Sequence, residues 1–287
     1  MIYLLLSIAA STLLFIIFKL FNVYKINTFQ AIVANYAVAC IYGLMSYDSE
    51  INISEIINSN WFYGAIGLGF LFISVFNLMA LTAQKNGLSV ASVASKMSVI
   101  IPVIFGVYVY NESAGFQKVI GIILALVAVY LASVKSKTTI NFKKNLALPL
   151  LVFIGSGIID TSIKYLETKY VPENGIPIFS ATIFSFALTI GILMVIYKII
   201  RKQFQFDPKS IIGGIVLGIV NYYSIFSLLK ALNTEGNESS TLFTINNVGI
   251  VMLSTLVGLL VFKEHISRKN WIGIGLAIVS IILVTFA

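Results

Sequence analysis

Ten runs of about twenty mostly apolar residues follow one another along this chain with little between them. As a helix, each run would be about 30 Å long, the thickness of the hydrocarbon core of a bilayer. The runs lie at about 2–21, 28–47, 61–83, 88–109, 115–134, 147–166, 176–199, 210–230, 240–262 and 269–287. Turn and charge signals separate them, among them Lys85-Asn86-Gly87, Pro172-Glu173-Asn174-Gly175 and Asp207-Pro208. The runs are continuously apolar, whereas strands of a membrane barrel would alternate. Of the 287 residues, 59% are hydrophobic and 10% charged, and no polar stretch is long enough for a soluble domain. Soluble chains carry about a quarter charged residues. The first run begins at Met1-Ile2-Tyr3 with no basic residue and continues to Lys19, so it reads as a retained span rather than a signal peptide. The expectation is an all-α polytopic membrane protein with ten transmembrane helices.

Several function classes drop out at once. Cys40 is the single cysteine and His265 the single histidine, which excludes a disulfide scaffold and a His/Cys metal site. Walker, Ser-His-Asp and HExxH patterns are absent from the sequence, so no enzyme, ATP-driven pump, cofactor or metal is expected. A net charge of +8 would suggest nucleic acid in a soluble chain; here it reads as lysine in cytoplasmic loops, with no nucleic-acid partner.

The chain repeats itself. Ala80-Leu81 aligns with Ala231-Leu232, Tyr110-Asn111-Glu112 with Phe262-Lys263-Glu264, and Gly121-Ile122-Ile123-Leu124-Ala125 with Gly273-Ile274-Gly275-Leu276-Ala277. Ser11 with Ser156, Lys19 with Lys164, Phe29 with Phe179 and Gly67 with Gly218 extend the match. Residues 1–134 and 147–287 therefore read as two five-helix halves joined by a basic linker at 135–146. Five is odd, so the second half is inverted relative to the first, the arrangement by which many secondary transporters place a site between two repeats.

Connections after the odd-numbered spans hold fourteen Lys and Arg against two acids, Asp207 and Glu264. The other side holds four lysines (Lys118, Lys164, Lys169 and Lys230) and eight acids. The positive-inside rule then puts the odd connections in the cytoplasm and both termini outside, in a cell membrane such as a bacterial inner membrane. Trp61, Phe62, Tyr63 and Trp271 at span ends fit an interfacial aromatic belt.

Polar residues inside the spans are the candidate site. The fourth span carries Ser89, Ser92, Ser95 and Lys96; the ninth carries Ser240, Thr244, Asn246, Asn247 and Ser254. Ser156, Asp160 and Lys164 step by four along the sixth, Ser74 and Asn77 lie on the third, and Asn221, Tyr222, Tyr223 and Ser224 on the eighth. Neutral stripes of this kind also serve as interhelical glue. Lys96 and Asp160 are different, because a charge within the bilayer costs about 2.5–3.5 kcal/mol or more and needs a partner or water. They read either as groups on a transport pathway or as a structural pair, with Lys164 a second partner for Asp160. Lys164, Glu167 and Lys169 nearer the outer interface read as solvated charges. Gly214-xxx-Gly218, Gly121-xxx-Ala125 and Gly273-xxx-Ala277 permit close helix approach, within the chain or at a dimer seam.

Two five-helix halves, each with a short polar turn holding a glutamate and then a glycine-led apolar helix, resemble EamA-type members of the drug/metabolite transporter superfamily. The resemblance rests on Pro102-Val103-Ile104-Phe105-Gly106 through Asn111-Glu112 to Gly121–Ala125, and on Lys263-Glu264 to Gly273–Ala277. The chain departs from the family's usual Gly-Glu at both turns, lacks its second-helix arginine (the nearest polar group is Asn35), and carries charge that argues for external termini. The resemblance implies ten helices, alternating access and a central cavity lined mainly by the first, third, fourth, sixth, eighth and ninth spans. Residues and resemblance together point to a secondary transporter of a small polar or zwitterionic, amino-acid-like metabolite, with a proton as candidate coupling ion. The expected substrate-binding or coupling residues are Lys96, Asp160, Ser92, Asn77, Asn221, Tyr222, Thr244, Asn246 and Asn247. The alternative is a carrier of drugs or lipids with a largely apolar cavity. Expected partners are the substrate, the bilayer and that proton, in a monomer or homodimer.

Overall fold

Backbone amides surrounded by apolar side chains have only one another as partners, and helix satisfies them within a single segment. In a computed structural model that describes residues 1–86, 94–96, 98–109, 115–133, 147–232, 239–260 and 268–285, helix is the only regular secondary structure apart from one 3-10 turn. The helices are α1 (Ile2–Val23), α2 (Thr28–Met45), α3 (Ile53–Asn58), α4 (Phe62–Asn86), α5 (Ile100–Val109), α6 (Phe116–Ser133), α7 (Ala147–Tyr170), α8 (Ile176–Ile200), α9 (Pro208–Leu232), α10 (Ser239–Leu260) and α11 (Arg268–Thr285). Each of the ten apolar runs contains one of them. Among the described residues five, namely α1, α2, α4, α8 and α9, are long and apolar enough by length and composition to cross a membrane. Their outward faces carry Leu5, Leu6, Phe70, Ile192, Leu193, Ile212 and Val216, all exposed. An apolar surface of that extent suits lipid and not water.

Helix α3 was not legible in the sequence, where its residues form a connection. Asn52 caps it: its Oδ1 accepts from Ser54 N at 3.1 Å, and its Nδ2 donates to Glu55 Oε1 at 2.8 Å. Six residues are too few to display an apolar face, so the cap rather than periodicity defines the helix.

The helices pack as two groups of four. In one, α9 lies on α2 and α1, and α1 on α10; in the other, α4 lies on α8 and α7, and α7 on α5. Exchanging each helix with the one five apolar runs away converts the first set of contacts into the second. Contacts of α2 with α8 and of α5 with α10 bridge the groups, and α6 pairs with α11 to one side. In that side pair, Ser280 Oγ donates to Gly121 O at 2.7 Å, so the Gly121 stripe is used within the chain. Gly214 and Gly218 bring α9 onto the backbone of α2, as their spacing implies.

A cluster of rings joins the two groups. Phe76 meets Phe18 with centroids 6.0 Å apart, Tyr36 at 5.8 Å and Phe72 at 6.3 Å, and Phe184 reaches both Tyr36 and Phe72. Each such pair contributes about 0.5–1.5 kcal/mol beyond its burial. Trp61, expected in an interfacial belt, is 6% exposed and packs edge-on to Phe179 at 5.4 Å; Tyr63 and Trp271 are exposed at span ends as expected. The neighbouring α8 covers Trp61, and only tertiary packing makes that difference.

Helices α1 and α8 end alike. Ile26 N donates to Phe21 O at 2.9 Å and Gln203 N to Lys198 O at 2.8 Å, each a six-to-one closure with the preceding residue left-handed: Lys25 and Lys202 both have φ of 54°. Glycine takes that conformation without the Cβ clash that lysine suffers. Lys25→Gly and Lys202→Gly should therefore each raise stability by about 0.5–1 kcal/mol, read as a higher Tm in detergent.

The same end of the molecule carries a polar clasp between the connections 24–27 and 201–207. Asp207 caps α9, accepting from Lys209 N at 3.2 Å with Pro208 at the first helical position. Asp207 Oδ2 also accepts from Ser210 Oγ and from Asn27 N (3.3 Å), while Asp207 N donates to Gln30 Oε1 at 3.0 Å. The Ser210 hydroxyl above all, followed by the Asn27 and Lys209 amides, holds the Asp207 carboxyl below its usual range. A lowered folded pKa gives stability that is present above about pH 4 and lost as pH falls further. Asp207→Asn should therefore have a lower Tm than wild type at pH 7, with the gap closing between about pH 4 and pH 2.

Candidate functional site

A cavity of about 130 Å³ lies between the two four-helix groups. Its walls are helical stripes at i, i+3, i+4, i+7: Ser11, Leu14, Phe15 and Phe18 on α1; Phe72, Val75, Phe76 and Met79 on α4; Asn221, Ser224, Ile225 and Leu228 on α9. Ser156, Ile159 and Asp160 come from α7, Phe243, Asn246 and Asn247 from α10, and Ser95 and Lys96 from the turn of helix before α5. These are the first, third, fourth, sixth, eighth and ninth runs of the sequence.

The two sides of the cavity differ chemically. Lys96 and Asp160 stand on the side built from α4, α7 and the 94–96 turn, half-buried, with Ser156 donating across to Ser95 at 3.4 Å. They interact electrostatically, and among the described residues no direct contact within 4.0 Å joins them. Instead the Lys96 ammonium sits 5.3 Å from the centroid of the Phe15 ring on the opposite side. That opposite side, from α1, α9 and α10, is neutral. Asn221 and Asn246 are 1% and 4% exposed, yet Asn221 Nδ2 and Asn246 Oδ1 have no hydrogen-bond partner. A buried amide atom left unpaired costs about 1–3 kcal/mol. Asn247 is satisfied on its own helix, donating to Phe243 O at 2.9 Å.

Of the residues singled out from sequence, Lys96, Asp160, Asn221, Asn246 and Asn247 line this one cavity. Asn77, Tyr222 and Thr244 do not. Each lining stripe covers only part of its helix, and these three residues lie off the stripes. Asn77 donates to Ile73 O of its own helix at 2.7 Å; Tyr222 is buried against Phe226, Tyr223 and Tyr42, and Thr244 is buried in α10. Ser92 lies outside the described residues. The aromatic lining, Phe15, Phe18, Phe72 and Phe76, gave no signal in the sequence, because apolar residues have no contrast within an apolar span. Ser11 had one: its register match with Ser156, another lining residue.

The charges beyond the cavity also differ from expectation. Lys164 and Glu167 are not solvated: Lys164 Nζ lies 3.6 Å from Glu167 Oε2, with side chains 12% and 1% exposed, and donates to Leu232 O at 3.3 Å. Lys169 is exposed, as expected. Lys164 therefore serves Glu167 and the end of α9, not Asp160.

Comparison with known proteins agrees with this architecture. Residues 147–286 match the EamA-like transporter family. An uncharacterized protein of Haemophilus influenzae is 32% identical over 279 residues, covering 93% of this chain and 90% of that protein. A crystal structure of another protein superposes with a TM-score of 0.73, covering 99% of this chain and 98% of its own, at 12% identity, which is a likeness of fold alone. An all-helical chain with membrane-length apolar helices, a cavity between two interchangeable helix groups and these matches belongs to the EamA-like transporter family of the drug/metabolite transporter superfamily, and is an integral membrane protein.

Proposed function

We propose that this protein is a secondary transporter that moves a small zwitterionic metabolite, amino-acid-like in its charges, by alternating access. The observation that carries this reading is the cavity itself: an ammonium and a carboxylate on one side, and unpaired amide atoms of Asn221 and Asn246 on the other. Lys96 would hold a carboxylate and Asp160 an ammonium, or a coupling proton, in surroundings where desolvation strengthens both attractions. Asn221, Asn246 and Asn247 would supply neutral hydrogen bonds. In the full reading the chain spans the membrane ten times as inverted halves, 1–134 and 147–287, with both termini outside. The contact sets that interconvert on exchanging helices five runs apart, the family match over 147–286 and the lysine asymmetry of the connections all support it. A carrier of purely apolar compounds would have no use for two charged residues and three asparagines lining the cavity.

The test is counterflow in proteoliposomes loaded with neutral zwitterionic amino acids, singly charged analogues or lipophilic cations, with and without an imposed pH gradient. Saturable exchange of zwitterions above that of either singly charged analogue is expected. Exchange of lipophilic cations alone would overturn the reading.

A further inference from the structure

We infer that Lys164 is a gating residue: its hydrogen bond to the C-terminal carbonyl of α9 latches one mouth of the cavity, and Lys19 is its counterpart at the other mouth. The inference rests on the transport reading above and on the register of the two halves.

The geometry starts at the cavity. Asp160 lines it on α7, and Lys164 lies four residues on, one turn or about 6 Å further along the same face. Leu228 lines it on α9, and Leu232 lies one turn on in the same sense. Helices α7 and α9 belong to opposite four-helix groups. The 3.3 Å bond from Lys164 Nζ to Leu232 O thus crosses between those groups one turn beyond the cavity. Opening the cavity at that end requires it to break.

The chemistry suits a contact that breaks and re-forms. An ammonium is attracted to the last carbonyls of a helix, where the aligned peptide dipoles end negative. Its counter-charge, Glu167, stands on the same helix as Lys164, three residues away, and Thr168 Oγ donates to the same carboxylate oxygen at 3.2 Å. When the groups part, Lys164 keeps Glu167 and Leu232 gives up only a neutral carbonyl bond. Neither charge is stranded, so separation avoids the large cost of breaking a buried ion pair.

The register supplies the second latch. The offset of 145 that aligns Ser11 with Ser156 also aligns Phe15 with Asp160 and Lys19 with Lys164. Phe15 lines the cavity, so Lys19 lies one turn beyond it on α1. The helix five apolar runs from α9 is α4, so the acceptor for Lys19 in the proposed latch would be the C-terminal turn of α4. With Lys19 so engaged, one latch would hold while the other is released.

Sidedness of access is the direct readout. Ser224, one turn inside Leu228 on the cavity wall, is replaced by cysteine in a Cys40→Ser background of the full chain. Labelling by a membrane-impermeant maleimide is then measured in vesicles of both orientations. Lys164→Met should raise labelling from the side of the 233–238 connection about threefold or more and lower it from the other; Lys19→Met should do the reverse; Lys164→Arg should behave as wild type. Should Lys164→Met misfold because Glu167 is left unpaired, Lys164→Met with Glu167→Gln removes both charges and should give the same shift. Unchanged labelling in a folded variant, or the same direction of shift from both lysine changes, would overturn the latch. Labelling needs no substrate. Shifted labelling without any counterflow would sink the transport reading and keep the latch, while unchanged labelling with intact zwitterion counterflow would sink the latch alone.

Discussion

Lys96→Met and Asp160→Leu, made singly, should each cut zwitterion counterflow to below about a tenth of wild type, because losing one charge from a desolvated site costs about 2–5 kcal/mol of binding. Both proteins should still fold and insert. The two side chains line the cavity and make no direct contact within 4.0 Å, so neither depends on the other for a contact ion pair. The double variant should be equally inactive. A structural pair makes the opposite forecast: each single change would lose about 3–5 kcal/mol of stability, and the apolar double would fold and transport normally. Tm in detergent and counterflow in liposomes, measured on all three variants, separate the two.

Gly214→Val should be the most destabilising simple substitution outside the cavity, lowering stability by about 1–3 kcal/mol or more and reducing the yield of folded protein. A Cβ at Gly214 would stand 2.6 Å from the carbonyl oxygen of Ala31 and 2.5 Å from Ala34 Cβ, and backbone cannot yield as a flexible side chain can. Membrane helices gain much of their association from such close approach, since lipid offers little hydrophobic reward for burying one apolar helix on another. Gly67 is the control. A Cβ there would meet nothing within 4 Å, although a Cβ at Gly218, with which it aligns in sequence, would stand 2.6 Å from Asn35 O. Gly67→Ala should therefore leave Tm unchanged or slightly raised, and equal losses at Gly67 and Gly214 would refute this account of the α2–α9 contact.

Much of this protein follows from the bilayer. Hydrocarbon demands satisfied backbone and apolar side chains over about 30 Å, so the helical class and the apolar runs are written in the order of residues. The glycines that bring α9 onto α2 are written there too. Lys96 and Asp160 stand out because a charge in a span has no ordinary reason to be there.

Rotation of each helix about its own axis is not written in the same way. A soluble helix announces its buried face by contrast with a polar one, but a lipid-facing helix is apolar all round. The ninth run's serine, threonine and asparagine stripe therefore pointed to Thr244 as much as to Asn246, and only packing against α1 and α9 turns Asn246 inward and leaves Thr244 outside the lining. The same holds for Tyr222 beside Asn221, and for Lys164, whose partners are a glutamate on its own helix and a carbonyl 68 residues away. The sequence by itself determined the helical class, the apolar runs and the rare charges within them. The tertiary structure decided which side of each helix meets the cavity, because that choice is made by the shapes of neighbouring helices and leaves no polarity pattern in the residues themselves.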